Sequence, residues 1–435
     1  MKAYAKYAGV LVIVGVLVLG GSSAQGESLQ DAINYLLQSN PEVKAISWNR
    51  MARDEEVRQA KSGYWPSIDI RSGISLEEQY EPFRETTRPH STVASLRQNV
   101  FHFGTTLHEV ERQRARVRSA AYRLQGTAEN VALVASRYYL NVLRQLEIYD
   151  LAVENLTNHQ RIYDQVKLRS GSGVDSKADL DQVMGRLSLA QANVVVAKQN
   201  VIDAETDYQA VIGHLPEDLV KPGPVDSAIP ASMEEAEQLA LADYPILKSA
   251  RADYEAREEQ HTVAKRAVYP SLDVALDYKW ENDVDIVGYQ EEFVATGLVS
   301  FNIFRGWWDD ARIKETRHQV CEAWEIMNNA RRQTVQSIRL SWESYKAAQD
   351  NIAHLEEYVA SIGLTAEAFR KQWGIGRRTM FDVLDIEAEY ITAKEDLVNA
   401  RYDEMYSQFR ILSGIGKLTD TLGLEWPEES RIETN

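Results

Sequence analysis

The side chains of this chain best placed for charge chemistry lie in one stretch, Trp373 to Asp385, which reads WGIGRRTMFDVLD. A Gly-rich turn is followed at once by Thr379, Asp382 and Asp385. Thr379 suits the N-cap of a new helix, with Asp382 at its third position, near the positive end of the dipole. Asp385 comes three residues after Asp382, so both carboxylates project from one helical face. Capping accounts for the first of them only. A copy of the turn occurs 203 residues earlier, as Ser170-Gly171-Ser172-Gly173 followed by Ser176 and Asp179.

Catalytic chemistry is poorly supported. The eight histidines are scattered, without an HExxH or a cysteine–histidine cluster. The run Ser170 to Lys177 imitates a phosphate loop, but it lacks the terminal Gly-Lys-Ser/Thr and follows a helix rather than a strand. The expectation is a protein that is not an enzyme, with no cofactor and no metal site. A formal net charge of −17 argues against nucleic acid as a partner. Cys321 is the only cysteine, which rules out an intrachain disulfide and reads as a small residue buried on a helix.

The elements that position the turns are long helices. Only 11 prolines occur, clustered at a few junctions, and they leave runs of more than 60 residues without one. Residues 1–24 read as a signal peptide: Lys2 and Lys6, an apolar run from Ala8 to Gly21, then Ser22-Ser23-Ala24. Its removal takes two lysines from −17 and leaves −19. No cysteine stands near that site, so no lipid anchor is expected there. No later run of 18 apolar residues offers a membrane-spanning helix.

The chain is built twice. Ala60-Lys61 returns as Ala264-Lys265, and Trp65-Pro66-Ser67-Ile68-Asp69-Ile70 as Tyr269-Pro270-Ser271-Leu272-Asp273-Val274, at a spacing of 204. The first repeat, residues 25–214, is expected to hold helices 28–63 (with a restart at Asn40-Pro41 that Pro245 answers in the second repeat), 105–169 and 176–212 around a hairpin at about 66–101. A linker, 215–231, precedes the second repeat, 232–416, with helices 232–268, 308–372 and 379–412 and a hairpin at about 270–304. Residues 417–435 show no periodicity and are expected to be a disordered tail.

Heptad seams run through both long helices, over Val117, Ala121, Leu124, Ala128, Val131, Ala135, Tyr138 and Val142, and over Val335, Ile338, Trp342 and Tyr345 onward. At ~1.5 Å per residue, about 65 residues give a helix on the order of 100 Å. In the hairpins the period falls to two. Ile68, Ile70, Ile74 and Leu76 alternate with polar positions, as do Leu272, Val274, Leu276, Tyr278 and Trp280.

Four strands with one apolar face in an exported chain suggest a membrane β-structure, yet four strands cannot close. An open sheet leaves two unpaired edges, each group costing several kcal/mol in hydrocarbon. Copies of the chain must then share a barrel whose strand number is a multiple of four. Eight strands fill with their own side chains, whereas twelve leave a lumen. Tyr64, Trp65, Tyr80, Tyr269, Trp280, Tyr289, Phe304, Trp307 and Trp308 lie where interfacial girdles would sit. The rival expectation is a soluble periplasmic coiled-coil adaptor or structural protein.

The duplicated order, and above all Gly376-Arg377-Arg378-Thr379 followed by Asp382-Val383-Leu384-Asp385, resembles the TolC family of outer-membrane export channels. The resemblance covers nearly the whole mature chain. It implies a mainly α fold with a small β part: a homotrimer with a 12-stranded β-barrel in outer-membrane lipid, continued by an α-helical coiled-coil tunnel in the periplasm. It implies docking onto an inner-membrane ABC or RND transporter through a periplasmic adaptor. Asp382 and Asp385 match the aspartates that ring the periplasmic entrance, while Arg378 and Asp179 match members of the links that hold the tip closed. Trp373 stands where the archetype has a tyrosine, and Ala178 where it has a threonine, so the archetypal link set is altered.

Three copies of Asp382 and Asp385 would stack two carboxylate rings, raise some of their pKa values and favour cations. Arg378 is expected to pair with Asp179 or with another acid at the turn. The turns at Gly171, Gly173, Gly374 and Gly376 are the expected adaptor-docking surface. The expected role is the exit duct of type I protein secretion, with multidrug efflux as the alternative.

Overall fold

Caps and prolines divide the chain into its helices in the computed structural model, which describes residues 26–80, 85–284 and 288–432. The expected signal peptide lies outside the described residues. Helix α1 (Leu29–Ser39) opens on a capping box made by Ser28 and Asp31. Asn40 then accepts from the amides of Glu42 and Val43 and starts α2 (Pro41–Lys61), with proline at the first helical position. In the second repeat Ser232 accepts from the Glu235 amide at the start of α5 (Met233–Asp243), and α6 (Pro245–Arg266) opens on its proline after Tyr244, whose side chain makes no cap hydrogen bond.

Each repeat then turns to β-structure. Strands β1 (Ser67–Ile74) and β4 (His90–Phe101) form the first hairpin, extended by a short pair, β2 (Glu77–Gln79) and β3 (Glu85–Thr87). Strands β5 (Ser271–Asn282) and β6 (Tyr289–Ser300) form the second. All four long strands join one antiparallel sheet in the order β1-β4-β5-β6, with the two repeats meeting at the β4–β5 seam.

The register gathers the apolar positions on one face. Ile68, Leu96 and Leu276 stand abreast, and Ile70, Ala94 and Tyr278 form the next row. The opposite face is polar, and its seam is laced by side-chain hydrogen bonds: Ser91 to Glu281, Ser95 to Asp277 and Asn99 to Asp273. Among the described residues neither β1 nor β6 has a further partner strand. Every residue of β1 is exposed, including Ile68, Ile70 and Ile74. Around the base of the sheet lie exposed Trp65, Tyr269, Phe304, Trp307 and Trp308.

From the sheet run two helices of equal length, α3 (Thr105–Gly171) and α7 (Trp308–Gly374), 67 residues each. At ~1.5 Å rise they measure about 100 Å. Shorter helices return along them, α4 (Lys177–Ile212) beside α3 and α8 (Met380–Gly414) beside α7. The main core lies partway along this bundle, where α1, α3, α5 and the ends of α4 and α8 bury Ile33, Leu124, Ala135, Ile212, Ala240 and Phe409 together.

Three expectations are corrected here. Cys321, expected to be buried on its helix, is exposed on α7. The first heptad seam places Tyr138 inside, but Tyr139 is the fully buried residue and Tyr138 is half-buried. The Tyr139 hydroxyl donates to the carbonyls of Glu27 and Val220, at 2.7 and 2.6 Å, which satisfies its polar end inside the core. The expected disordered tail is also ordered over its described part. Helix α9 (Leu418–Thr421) buries Leu418, and Trp426 packs against the main core. The anchor is Glu129 on α3, 1% exposed, which accepts from the amides of Leu418 and Thr419, the Thr419 hydroxyl and the Trp426 indole. A sequence period cannot register a segment held by one distant carboxylate.

Candidate functional site at the helical tip

The turn at the far end of each long helix is built the same way twice. In the first, Gly173 N–H donates to Ser170 and Val174 N–H to the Arg169 carbonyl; in the second, Gly376 N–H donates to Trp373 and Arg377 N–H to Gln372. Gly173 and Gly376 take φ of +79° and +76°, the left-handed region that a side chain would strain. Open space surrounds all four turn glycines, Gly171, Gly173, Gly374 and Gly376: a Cβ on any of them would meet nothing within 4 Å.

Both returning helices start on capping boxes. Ser176 and Asp179 exchange bonds at the start of α4, and Thr379 and Asp382 at the start of α8. Asp179 is therefore engaged locally, by the Ser176 amide at 3.1 Å and hydroxyl at 2.8 Å. The Thr379 side chain and amide hold the Asp382 carboxyl below the usual carboxylate range, with Arg378 adding to the effect. The rise expected from neighbouring copies must act against this.

Arg378 does not reach Asp179 within the protomer. It donates to Gln372 at 3.1 Å, lies 3.8 Å from the carboxylate of Asp382 and stacks over Phe369 at 4.0 Å. The acid it faces is thus the other one at its own turn. The equivalent pair in the first repeat is Arg169 and Asp175, joined by two hydrogen bonds of 2.8 and 3.1 Å. The same two backbone positions are linked in both turns, with the arginine on opposite sides of the link.

Trp373 plays a packing role. Arg169 lies over its ring at 5.0 Å, and with Phe369 it closes a small tip core of Ile162, Val166, Val183, Met380, Val383 and Leu384. That core binds the two helical hairpins of one protomer to each other. Beside it Arg370 of α7 pairs with Glu387 of α8, whose side chain is 2% exposed. A groove of about 620 Å³ between α3 and α7 is lined by Arg161, Leu168, Arg169, Arg370, Trp373 and Gly374.

Asp385 is brought to a partner that sequence reasoning missed. Its side chain is 72% exposed, and Arg186 of α4 reaches it at 3.1 Å across the boundary between repeats. The duplication gave no signal, since the first-repeat counterpart of Asp385 is Gln182 and the second-repeat counterpart of Arg186 is Glu389. Among the described residues no group of His, Cys, Asp and Glu could hold a metal ion. No described helix is long and apolar enough to cross a membrane.

This architecture has relatives. The chain is 25% identical to Outer membrane protein TolC of Escherichia coli (strain K12), over 98% of its length and 90% of the relative. It is 24% identical to Outer membrane efflux protein BepC of Brucella suis, over 98% and 93%. Proteases secretion protein PrtF of Dickeya chrysanthemi is 22% identical, over 94% and 92%. A solved structure of CusC superposes with a TM-score of 0.79 at 16% identity, covering 91% of this chain and 95% of that one. The sequence profile described as Outer membrane efflux protein matches residues 32–214 and 237–416, one segment in each repeat. A match over both halves of the duplicated sheet-and-helix architecture means that the chain belongs to the outer membrane efflux protein family.

Proposed function

We propose that this chain is the exit duct of a tripartite export system, assembled as a homotrimer whose three sheets close a 12-stranded barrel. The observation that carries the reading is the sheet itself: four strands, apolar on one face and polar on the other, with β1 and β6 as open edges among the described residues. Backbone groups at those edges need partners in lipid, and neighbouring copies supply them. The helices, about 100 Å long, then continue the barrel as a periplasmic tunnel. Outer-membrane residence, set by family, removes the soluble adaptor reading.

Asp382 and Asp385 line the periplasmic entrance in this proposal, while Arg378 and Asp179 belong to the contacts that keep it narrow. Trp373 supports the closed tip through packing and Arg169. A periplasmic adaptor docks on the open turns at Gly171, Gly173, Gly374 and Gly376 and in the groove beside Trp373, linking the duct to an inner-membrane ABC or RND transporter. The cargo is protein, in type I secretion, a reading supported by likeness to a relative named for protease secretion. Likeness to a relative named for efflux favours small molecules as the second reading.

Planar-bilayer recording of the detergent-purified protein tests the duct. Small cation-selective steps, blocked from one side by a trivalent cation and freed of block by Asp382→Ala with Asp385→Ala, are expected. Block unchanged by that double substitution would remove the entrance assignment. Deletion of the gene, with secreted proteins and drug sensitivity compared, separates the two cargoes: loss of a secreted protein supports the first and drug hypersensitivity alone the second.

A further inference from the structure

The two acids assigned to the entrance are held in different ways. Asp382 is closed into the cap of its own helix, and its nearest cation, Arg378, belongs to the same turn. Asp385 lies beyond the cap, and its ion pair crosses from α8 to α4, Arg186 Nη2 to Asp385 Oδ1 at 3.1 Å. Among the described residues this is the one ion pair of Arg186. Behind the arginine on α3 is His159, 5% exposed, with its Nδ1 unpartnered. Burial and the Arg186 charge hold this imidazole below its ordinary pKa, so a neutral ring backs the arginine instead of a competing acid.

We propose that Arg186 is a specificity-determining residue of the entrance: paired with Asp385, it cancels that carboxylate's charge and sets how strongly the constriction attracts cations. The proposal rests on the reading of Asp382 and Asp385 as entrance acids. An exposed pair of this kind adds little to stability. Its effect on a passing ion is larger, because a carboxylate with a guanidinium beside it acts as a dipole, whose field falls faster with distance than that of a lone charge. In a trimer the pairing repeats three times around the axis, and the acid count then overstates the negative potential there.

The test uses full-length trimer in planar bilayers, with KCl reversal potentials and block by hexamminecobalt(III). Arg186→Gln frees the Asp385 ring and is expected to lower the half-blocking concentration at least about tenfold, the size given by just one of the three freed unit charges acting on a trivalent ion at ~8 Å in a water-like dielectric. The reversal potential shifts towards cations. Arg186→Lys keeps the charge and stays near wild type. Asp385→Asn leaves three unpaired arginines and moves selectivity towards anions, and the double variant Arg186→Gln with Asp385→Asn loses the tenfold gain. If Arg186→Gln changes neither readout while Asp385→Asn changes both, the entrance reading stands and the proposal is overturned. If Asp382→Asn with Asp385→Asn changes neither, the entrance reading falls and the proposal falls with it.

Discussion

Glu129 offers a direct test of what holds the end of the chain in place. It is 1% exposed on α3, and four donors from residues 418–426 converge on it: Leu418 N at 3.0 Å, Thr419 N at 3.3 Å, Trp426 Nε1 at 2.9 Å and the Thr419 hydroxyl. Glu129→Ala strands all four. At about 1 kcal/mol for each buried donor left unsatisfied, the gross loss is about 4 kcal/mol. Docking the wild-type segment also takes the carboxylate out of water, which offsets part of that gain. Burial accordingly raises the Glu129 pKa against the lowering effect of its donors. A net loss of about 3 kcal/mol is a fall of about a hundredfold in the docking equilibrium.

Native-state hydrogen exchange reads this on the amides of Leu422, Gly423 and Leu424, which bond within the docked segment. Trypsin cleavage after Lys417 should accelerate in parallel. Glu129→Gln, which retains one acceptor oxygen, should fall between the alanine variant and wild type. Because the folded pKa lies above the unfolded 4.5, the group's contribution is greatest below that value and is lost as pH rises through the folded value. Protection should therefore increase on acidification. Wild-type protection of 418–426 in Glu129→Ala would refute the anchoring role.

Three further outcomes are expected. Arg378→Ser removes the contacts to Gln372, Asp382 and Phe369 and should enlarge single-channel conductance; a closed-state conductance equal to wild type would count against the lock. Cysteines at Gly171 and Gly374, where the backbone tolerates a side chain and the space outside is open, should cross-link to the periplasmic adaptor, and cross-links found only away from the tip would place the contact elsewhere. His159 is held below its ordinary pKa of 6.5, so the folded state binds fewer protons and stability is lost as pH falls below that value. His159→Gln should flatten the trimer's thermal stability between about pH 7.5 and about pH 5.5; an unchanged slope would assign the loss to other groups.

The elements and their duplication were legible in the residues alone. Asn40-Pro41 and Tyr244-Pro245 break the early helices, Ser176 and Thr379 cap the returning ones, and alternation along Ile68 to Ile74 marks a sheet face, because each signal acts within a few residues of chain. The capping role of Asp382 was legible for the same reason. Tertiary structure alone decided which partners those side chains meet. Arg186 finds Asp385 from 199 residues away, and Glu129 finds Thr419 from 290 residues away. Neither pairing follows from a spacing, since helices about 100 Å long bring distant residues together wherever their packing register sets them. Tyr139 displaced Tyr138 from the buried seam on similar grounds: the carbonyls of Glu27 and Val220, from two other segments, stand where its hydroxyl can reach them.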